Sequence, residues 1–292
     1  MTMAPVTATA GPAVTAASTL TRTFVRVVAS CEALNVHVAT PGTTLASGAE
    51  PAGGCLDGAE LAESQEALDA FIDAEAARIR ERHGHAPRRD VAASRALHNY
   101  LWAVSLLMSG AWYLEQRVPR IRPREVRPDL ATGTFEVVPG SGFACLPDDP
   151  AVTVAGARVL AHKEALGAEL RAAVADHVRP LVAAIGPQLR RGPRSLWGMV
   201  TDDLVSGIWY LGRMLDQEDR AVQAATELLP SGIPPFPGGA DFRRLTGRYG
   251  QRHQTRTRLS CCMYYTLGTA QACLTCPRTC DAERLRRLDG EG

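Results

Sequence analysis

Nineteen consecutive residues, Ala96 to Leu114, carry no Asp, Glu, Lys or Arg side chain. A helix of that composition has no charged face to turn to water, so it must be enclosed by protein or by lipid. His98, Asn99, Ser105, Ser109 and Gly110 interrupt the apolar run and leave it short of the roughly 20 residues that span a bilayer. The stretch therefore predicts a buried core helix from Val91 to about Gln116, with Asp90 as its N-cap and no transmembrane segment. His98, inside it, reads either as a hydrogen-bonded core histidine or as a ligand.

Other segments supply packing partners for that helix. Between Leu61 and His83 the residues Leu68, Phe71, Ile72 and Ile79 recur at helical spacing, with acids early, arginines late and Gly84 as a stop. His83 and His85, at that stop, read as an exposed helix end or as a metal-binding pair. Thr21 to Leu34 fits a helix or a strand, Ala157 to Ile185 a helix broken at Pro180, and Leu196 to Leu215 a second long apolar helix. A shorter helix is expected from about Asp219 to Leu229. Trp197, Trp209 and Tyr210 lie at helical spacing, which points to core packing rather than to a cofactor box. Thr134–Val138, Gly142–Leu146 and Ala151–Val154 are β-prone runs between turn signals, with Cys145 packed inside one of them.

The fold class is thus mainly α: a helical domain with a small β element and a C-terminal cysteine-rich subregion. Residues 1–20 are uncharged and of low complexity, lack the basic and apolar regions of a signal peptide, and are expected to form a flexible tail. Residues 21–239 form the helical body, in which 41–54 reads as a loop and Cys31 and Cys55 as free thiols. The Pro-rich loop at 230–239 separates this body from residues 240–292. Lys163 is the only lysine beside many arginines, and the net charge is +1, so arginine content alone gives no argument for a nucleic-acid partner.

The C-terminal segment carries the chemistry. Cys261-Cys262, ten residues, Cys273, two residues and Cys276 gather four of the eight cysteines, with Cys280 just behind. Without a sign of secretion, such a group is a soft-metal site before it is a disulfide framework. The two-residue gap between Cys273 and Cys276 lets one tight turn aim both sulfurs at a metal, while adjacent Cys261 and Cys262 converge only if the backbone bends. Spacing alone leaves zinc and an iron-sulfur cluster both open.

This Cys-Cys-x10-Cys-x2-Cys pattern, with Tyr264-Tyr265 after the pair and Cys276-Pro277-Arg278 at its close, resembles the FhuF-like ferric-siderophore reductases. Arg194-Ser-Leu-Trp197-Gly198 ahead of an apolar helix is similar to that family's other recognisable block, so the resemblance spans roughly residues 60 to 280. It implies a [2Fe-2S] cluster held by Cys261, Cys262, Cys273 and Cys276, with Cys280 left over. It further implies a cytoplasmic oxidoreductase, including at the inner face of the membrane, that passes one electron to Fe(III) in an imported siderophore of hydroxamate type. An electron-donor protein such as a ferredoxin would supply that electron. The rival expectation is a zinc-stabilised or iron-sulfur sensor without enzymatic activity, which the apolar character of the long helices disfavours as a DNA reader. Arg243, Arg244, Arg248, Arg252, Arg256 and Arg258 read either as a basic rim for an acidic partner or an anionic complex, or as a solvated surface.

Overall fold

The computed structural model describes residues 14–39, 56–268 and 270–290, and its first helix, α1 (Ala16–Ala29), begins inside the segment expected to be a tail. Thr15 caps it in a reciprocal arrangement with Ser18, and Ala16, Leu20, Phe24 and Val27 form its buried stripe. The tail reading is therefore corrected for residues 16–20: two small residues and a leucine at helical spacing reach the core. Residues 1–13, the 41–54 loop and Cys55 lie outside the described residues.

Next come β1 (Val36–Val38), α2 (Glu60–Glu63) and α3 (Gln65–His83). The helix expected from Leu61 is divided because Ser64 turns extended and accepts the Ala67 N–H at 3.2 Å, a serine N-cap that restarts the helix. Gly84 ends α3 in the left-handed region at φ 76°, as its sequence position predicts. Helix α4 (Arg89–Glu115) starts one residue before Asp90, so Asp90 is not the N-cap; its carboxylate instead receives the Arg88 guanidinium at 2.8 Å.

Helix α4 is buried along nearly its whole length. It packs against α1, α3, and the two long helices that follow, α5 (Lys163–Leu189) and α6 (Pro193–Met214). Its uncharged run is explained by that enclosure: four helical neighbours bury most of its circumference. Between α4 and α5 run five three-residue strands: β2 (Arg117–Pro119), β3 (Val126–Pro128), β4 (Phe135–Val137), β5 (Phe143–Cys145) and β6 (Ala157–Val159). They form two small sheets, ordered β1-β4-β3 and β2-β5-β6, each mixing one parallel and one antiparallel pair.

Three expectations fail here. Ala151–Val154 is a turn, not a strand, because Asp149 accepts the Ala151 N–H at 2.7 Å and folds the chain back. The strand forms instead at Ala157–Val159, where the sequence predicts the start of the following helix; Gly156, at φ 94° and tight against the Ser141 carbonyl, delivers it beside β5. Helix α5 also runs through Pro180 without a break. A mid-helix proline costs about 3 kcal/mol, whereas burying Leu181, Val182 and Ile185 beyond it contributes about 1.5–3 kcal/mol each.

Helix α7 (Glu218–Leu228) follows α6, then a hairpin of β7 (Phe242–Thr246) and β8 (Arg252–Arg256), and finally α8 (Asp281–Leu288). Cys31 and Cys145 are buried in the main apolar core, which extends from α1 through α6 and α7. Trp197 and Tyr210 are partly buried against it. Trp209 stacks edge-on against Phe242 at 5.4 Å, tying the helical body to the hairpin.

His177, on α5, is 3 % exposed and hydrogen-bonded on both ring nitrogens, to the Ile121 carbonyl at 2.7 Å and the Tyr100 hydroxyl at 2.9 Å. Burial, only partly offset by the Ile121 carbonyl, lowers it to about 4. In the unfolded chain it protonates near pH 6.5, so its contribution is complete above that pH and is lost as the pH falls toward about 4. Urea denaturation from pH 7 to pH 4 is expected to show a fall of up to about 3 kcal/mol from this residue, a component absent in His177→Gln.

Candidate metal centre

Asp202 and Asp203 stand side by side in the middle of α6, and both side chains are fully buried. Asp202 receives Arg256 Nη2 at 2.8 Å, the Leu259 N–H at 2.9 Å and the Ser260 N–H at 2.8 Å. Arg256, itself fully buried, also donates to the Ala240 carbonyl at 2.9 Å. One carboxylate thus ties the end of β8 and the two residues before Cys261 to the centre of the helical body. Asp203 takes Arg258 Nη2 at 2.5 Å and, on its other side, His98 Nδ1 at 2.9 Å. Burial would raise its pKa, but His98 and Arg258 outweigh that and hold Asp203 below the ordinary carboxylate range. Burial would lower Arg258, yet Asp203, Asp202 and the nearby Cys262 and Cys273 hold it above its ordinary value and permanently charged.

These contacts correct the reading of the basic run. Arg256 and Arg258 are internal ties rather than a rim or a solvated surface, because each meets a buried carboxylate. Arg243 reaches Asp281 of α8 and Arg244 reaches Asp219 of α7, both at 2.7 Å. Arg248 lies over the Tyr249 ring.

Beyond Ser260 the chain bends just after the adjacent cysteines. Met263 sits in the left-handed region at φ 61°, and its N–H points back at Cys261 Sγ, 3.4 Å away. The bend is held from two helices and the loop between α5 and α6: Arg191 of that loop donates to the Cys261 carbonyl at 2.5 Å; Ser94 of α4 donates to the Cys262 carbonyl at 3.2 Å; and Ser195 of α6 meets Ser260 at 2.8 Å. Leu267 then docks with Ile79 and Val91, a small apolar cluster that also gathers Met263, Tyr264 and Ala270.

The second pair of cysteines lies on a turn closed by the Cys276 N–H and the Cys273 carbonyl at 3.0 Å. Helix α8 covers it through fully buried Arg284, which donates to the carbonyls of Leu274, Cys276 and Thr279. Arg258, from the other side, donates its N–H to the Thr275 carbonyl at 2.8 Å.

Cys261 Sγ and Cys276 Sγ are 3.9 Å apart. Bonds of 2.3 Å to a tetrahedral metal place two thiolates ~3.8 Å apart, so this separation suits two ligands of one metal ion. Burial, opposed by the Met263 N–H and reinforced by Cys276 and Cys262, pushes the Cys261 thiol up to about 11; burial also raises Cys273, against the lowering by Arg258. Protonated thiols that a metal would have to deprotonate are the usual state of such a site without its ion. Among the described residues no three Cys, His, Asp or Glu side chains converge on one ion-sized point. A two-iron cluster makes a smaller demand, two sulfurs at each iron. Cys280 is exposed at the N-cap of α8.

Beside the cysteine segment opens a cavity of about 470 Å³ between α3, α4 and the β1-β4-β3 sheet. Arg95, His98, Asn99 and Trp102 line it from α4, and Arg258 and Tyr264 from the cysteine segment. His98 is therefore both hydrogen-bonded, to Asp203, and in the cavity wall. The His83 ring meets Tyr264 edge-on at 5.7 Å, and His85 Nδ1 hydrogen-bonds the His83 carbonyl at 3.0 Å.

No protein-family model matches the chain, and no curated protein matches it at significant similarity. The positions that the cysteine spacing leaves out are Asp202, Asp203, Ser94, Arg191 and Arg284. Only the first two carry a sequence signal: adjacent acids inside an apolar helix must be paired if they are buried.

Replacing Asp202 by Ala leaves Arg256 charged, buried and unpaired, and the Leu259 and Ser260 N–H groups without their acceptor. Asp202→Ala is expected to lose about 3–5 kcal/mol of unfolding free energy, and the apolar double replacement Asp202→Leu with Arg256→Met to recover only part of it, because the Leu259 and Ser260 N–H groups stay without an acceptor. Urea denaturation of both variants checks this; a loss below about 1 kcal/mol in Asp202→Ala would contradict the role given to the carboxylate.

Proposed function

We propose that this chain is an iron-sulfur oxidoreductase that reduces Fe(III) in an imported siderophore to Fe(II) and so releases it. The observation that carries the reading is the approach of Cys261 and Cys276 to metal-sharing distance beside a ligand-sized cavity. The two sequence blocks similar to the FhuF-like family support it by meeting in space: Gly198 lies against Leu259 and Ser260, where an added Cβ would stand 3.4 Å from the Cβ of each.

Cys261, Cys262, Cys273 and Cys276 would hold a [2Fe-2S] cluster, which when bound supplies single electrons. The chain's own part is positional and electrostatic. Arg191, Ser94 and Arg284 fix the carbonyls of the cysteine loops, and Arg258 places a permanent positive charge near Cys262 and Cys273. That charge favours the more negative, reduced state of whatever the sulfurs bind. Arg258 and Tyr264, from the cysteine segment, also form part of the cavity wall, so a substrate there would lie on the side of the cysteine segment.

Siderophore oxygens hold hard Fe(III) far more strongly than softer, less charged Fe(II), so transfer of one electron loosens the metal without a general base or nucleophile. Exposed Cys273 and Leu274 offer the nearest approach to an electron-donor protein such as a ferredoxin. No helix among the described residues is long and apolar enough to cross a membrane. The reading places the reaction in the cytoplasm, where an imported siderophore arrives.

Protein purified without oxygen is expected to be red-brown, with about two irons and two acid-labile sulfides per chain. Cys280→Ser should keep that content, whereas Ser at Cys261, Cys262, Cys273 or Cys276 should lose it. One zinc per colourless chain would establish the zinc-stabilised alternative, and iron loss in Cys280→Ser with retention in Cys261→Ser would change the ligand set. Dithionite-reduced protein, freed of excess dithionite, should then reduce ferric siderophores, read by an Fe(II) trap as the visible spectrum returns to the oxidised form. Inertness toward hydroxamate and catecholate complexes alike would end the reductase reading.

A further inference from the structure

The cavity beside the cysteine segment is strongly biased in charge. Its lining includes Arg78, Arg82, Arg95 and Arg258, against a single acid, Glu75. Glu75 is already held by Arg78 through Nε and Nη2 at 3.1 and 3.0 Å, and Arg258 is held from behind by buried Asp203. Arg82 and Arg95 have no carboxylate partner among the described residues; Arg95 bonds only neutral Asn99, at 3.2 Å, and lies 5.1 Å over the Tyr264 ring. A partly enclosed space with two uncompensated guanidinium groups selects anions, and rings at its wall favour flat, aromatic ones. Those rings are Trp102 and Tyr210, 5.7 Å apart edge to face, and Tyr264.

Resting on the proposed reductase function, we infer that this cavity selects net-anionic ferric chelates of the catecholate class over neutral tris-hydroxamates. Three hydroxamates neutralise Fe(III), whereas catecholates are dianionic and leave the complex strongly negative. Arg82 and Arg95 meet that charge at the mouth, the aromatic wall meets the catechol rings, and Arg258 and Tyr264 face the cysteines. For this chain we thus favour catecholates over the hydroxamates that the family resemblance implies, on the ground of its own arginines.

Gallium(III) forms complexes of the same shape and charge but takes no electron, so binding can be read without turnover. The tris-catecholate and tris-hydroxamate complexes of gallium are titrated into the full-length protein, followed by tryptophan fluorescence and calorimetry. The catecholate complex is expected to bind at least about tenfold more tightly, with an affinity that falls as salt is raised. Arg82→Gln and Arg95→Gln should each weaken it about three- to tenfold while leaving the hydroxamate complex unaffected. Arg179→Gln, at a different surface beside Trp197, should change neither. Equal affinity for the two complexes, or catecholate binding indifferent to both cavity arginines, would overturn the inference. The two readings fail separately: charge-selective binding without ferric reduction leaves the cavity site and removes the reductase, whereas reduction without charge-selective binding does the reverse.

Discussion

The buried ion pair between Asp202 and Arg256 is the constraint from which the arrangement of the C-terminal segment follows. Both side chains are fully excluded from water, so neither charge is tolerable without the other. An apolar pair of equal volume could fill the same space, but it could not receive the Leu259 and Ser260 N–H groups. Those bonds set the position and direction of the chain immediately before Cys261. The adjacent Asp203 does the same for Arg258, and through His98 it joins the cysteine segment to α4. A hairpin and an irregular loop, which bury little apolar surface of their own, are in this way registered on a rigid helical body.

Helix α4 serves both the core and the site. Most of its circumference is buried against α1, α3, α5 and α6, but Arg95, His98, Asn99 and Trp102 recur at the three- and four-residue spacing of one helical stripe. That stripe faces the cavity, and Ser94 beside it holds the Cys262 carbonyl. The polar residues that shorten the apolar run below membrane length are thus in part the residues that form the cavity wall. Stability and binding are carried on different faces of one element, and the site's geometry inherits the rigidity of the best-packed helix in the protein.

The charges around the cysteines fall into two sets with different consequences. Arg256 and Arg284 are consumed by structure: their hydrogen-bonding groups are spent on carboxylates and carbonyls inside the protein. Arg82 and Arg95 retain uncompensated charge facing the cavity, while Arg258 belongs to both sets, paired with Asp203 yet close to Cys262 and Cys273. Counting arginines along the chain cannot separate these roles, since Arg256 and Arg252 lie on the same strand and only one of them meets a buried acid.

The sequence by itself determined what depends on local periodicity and local covalent spacing. The uncharged run of α4, the apolar repeats of α3 and α6, the Gly84 stop and the two-residue turn between Cys273 and Cys276 were all legible, because each is specified within a few residues. Tertiary structure decided whatever rests on partners distant along the chain. Pro180 stays helical because the core beyond it outweighs the broken hydrogen bond, and Ala157–Val159 is a strand because Gly156 brings it to β5. Arg256 is interior because Asp202, more than fifty residues earlier, is waiting for it. The cavity likewise exists only where α3, α4, a small sheet and the cysteine loop meet, and its charge is the remainder left after the long-range ion pairs have formed. A pairing energy between residues far apart in sequence leaves no period to read, so the composition of the site was written in the chain but its geometry was not.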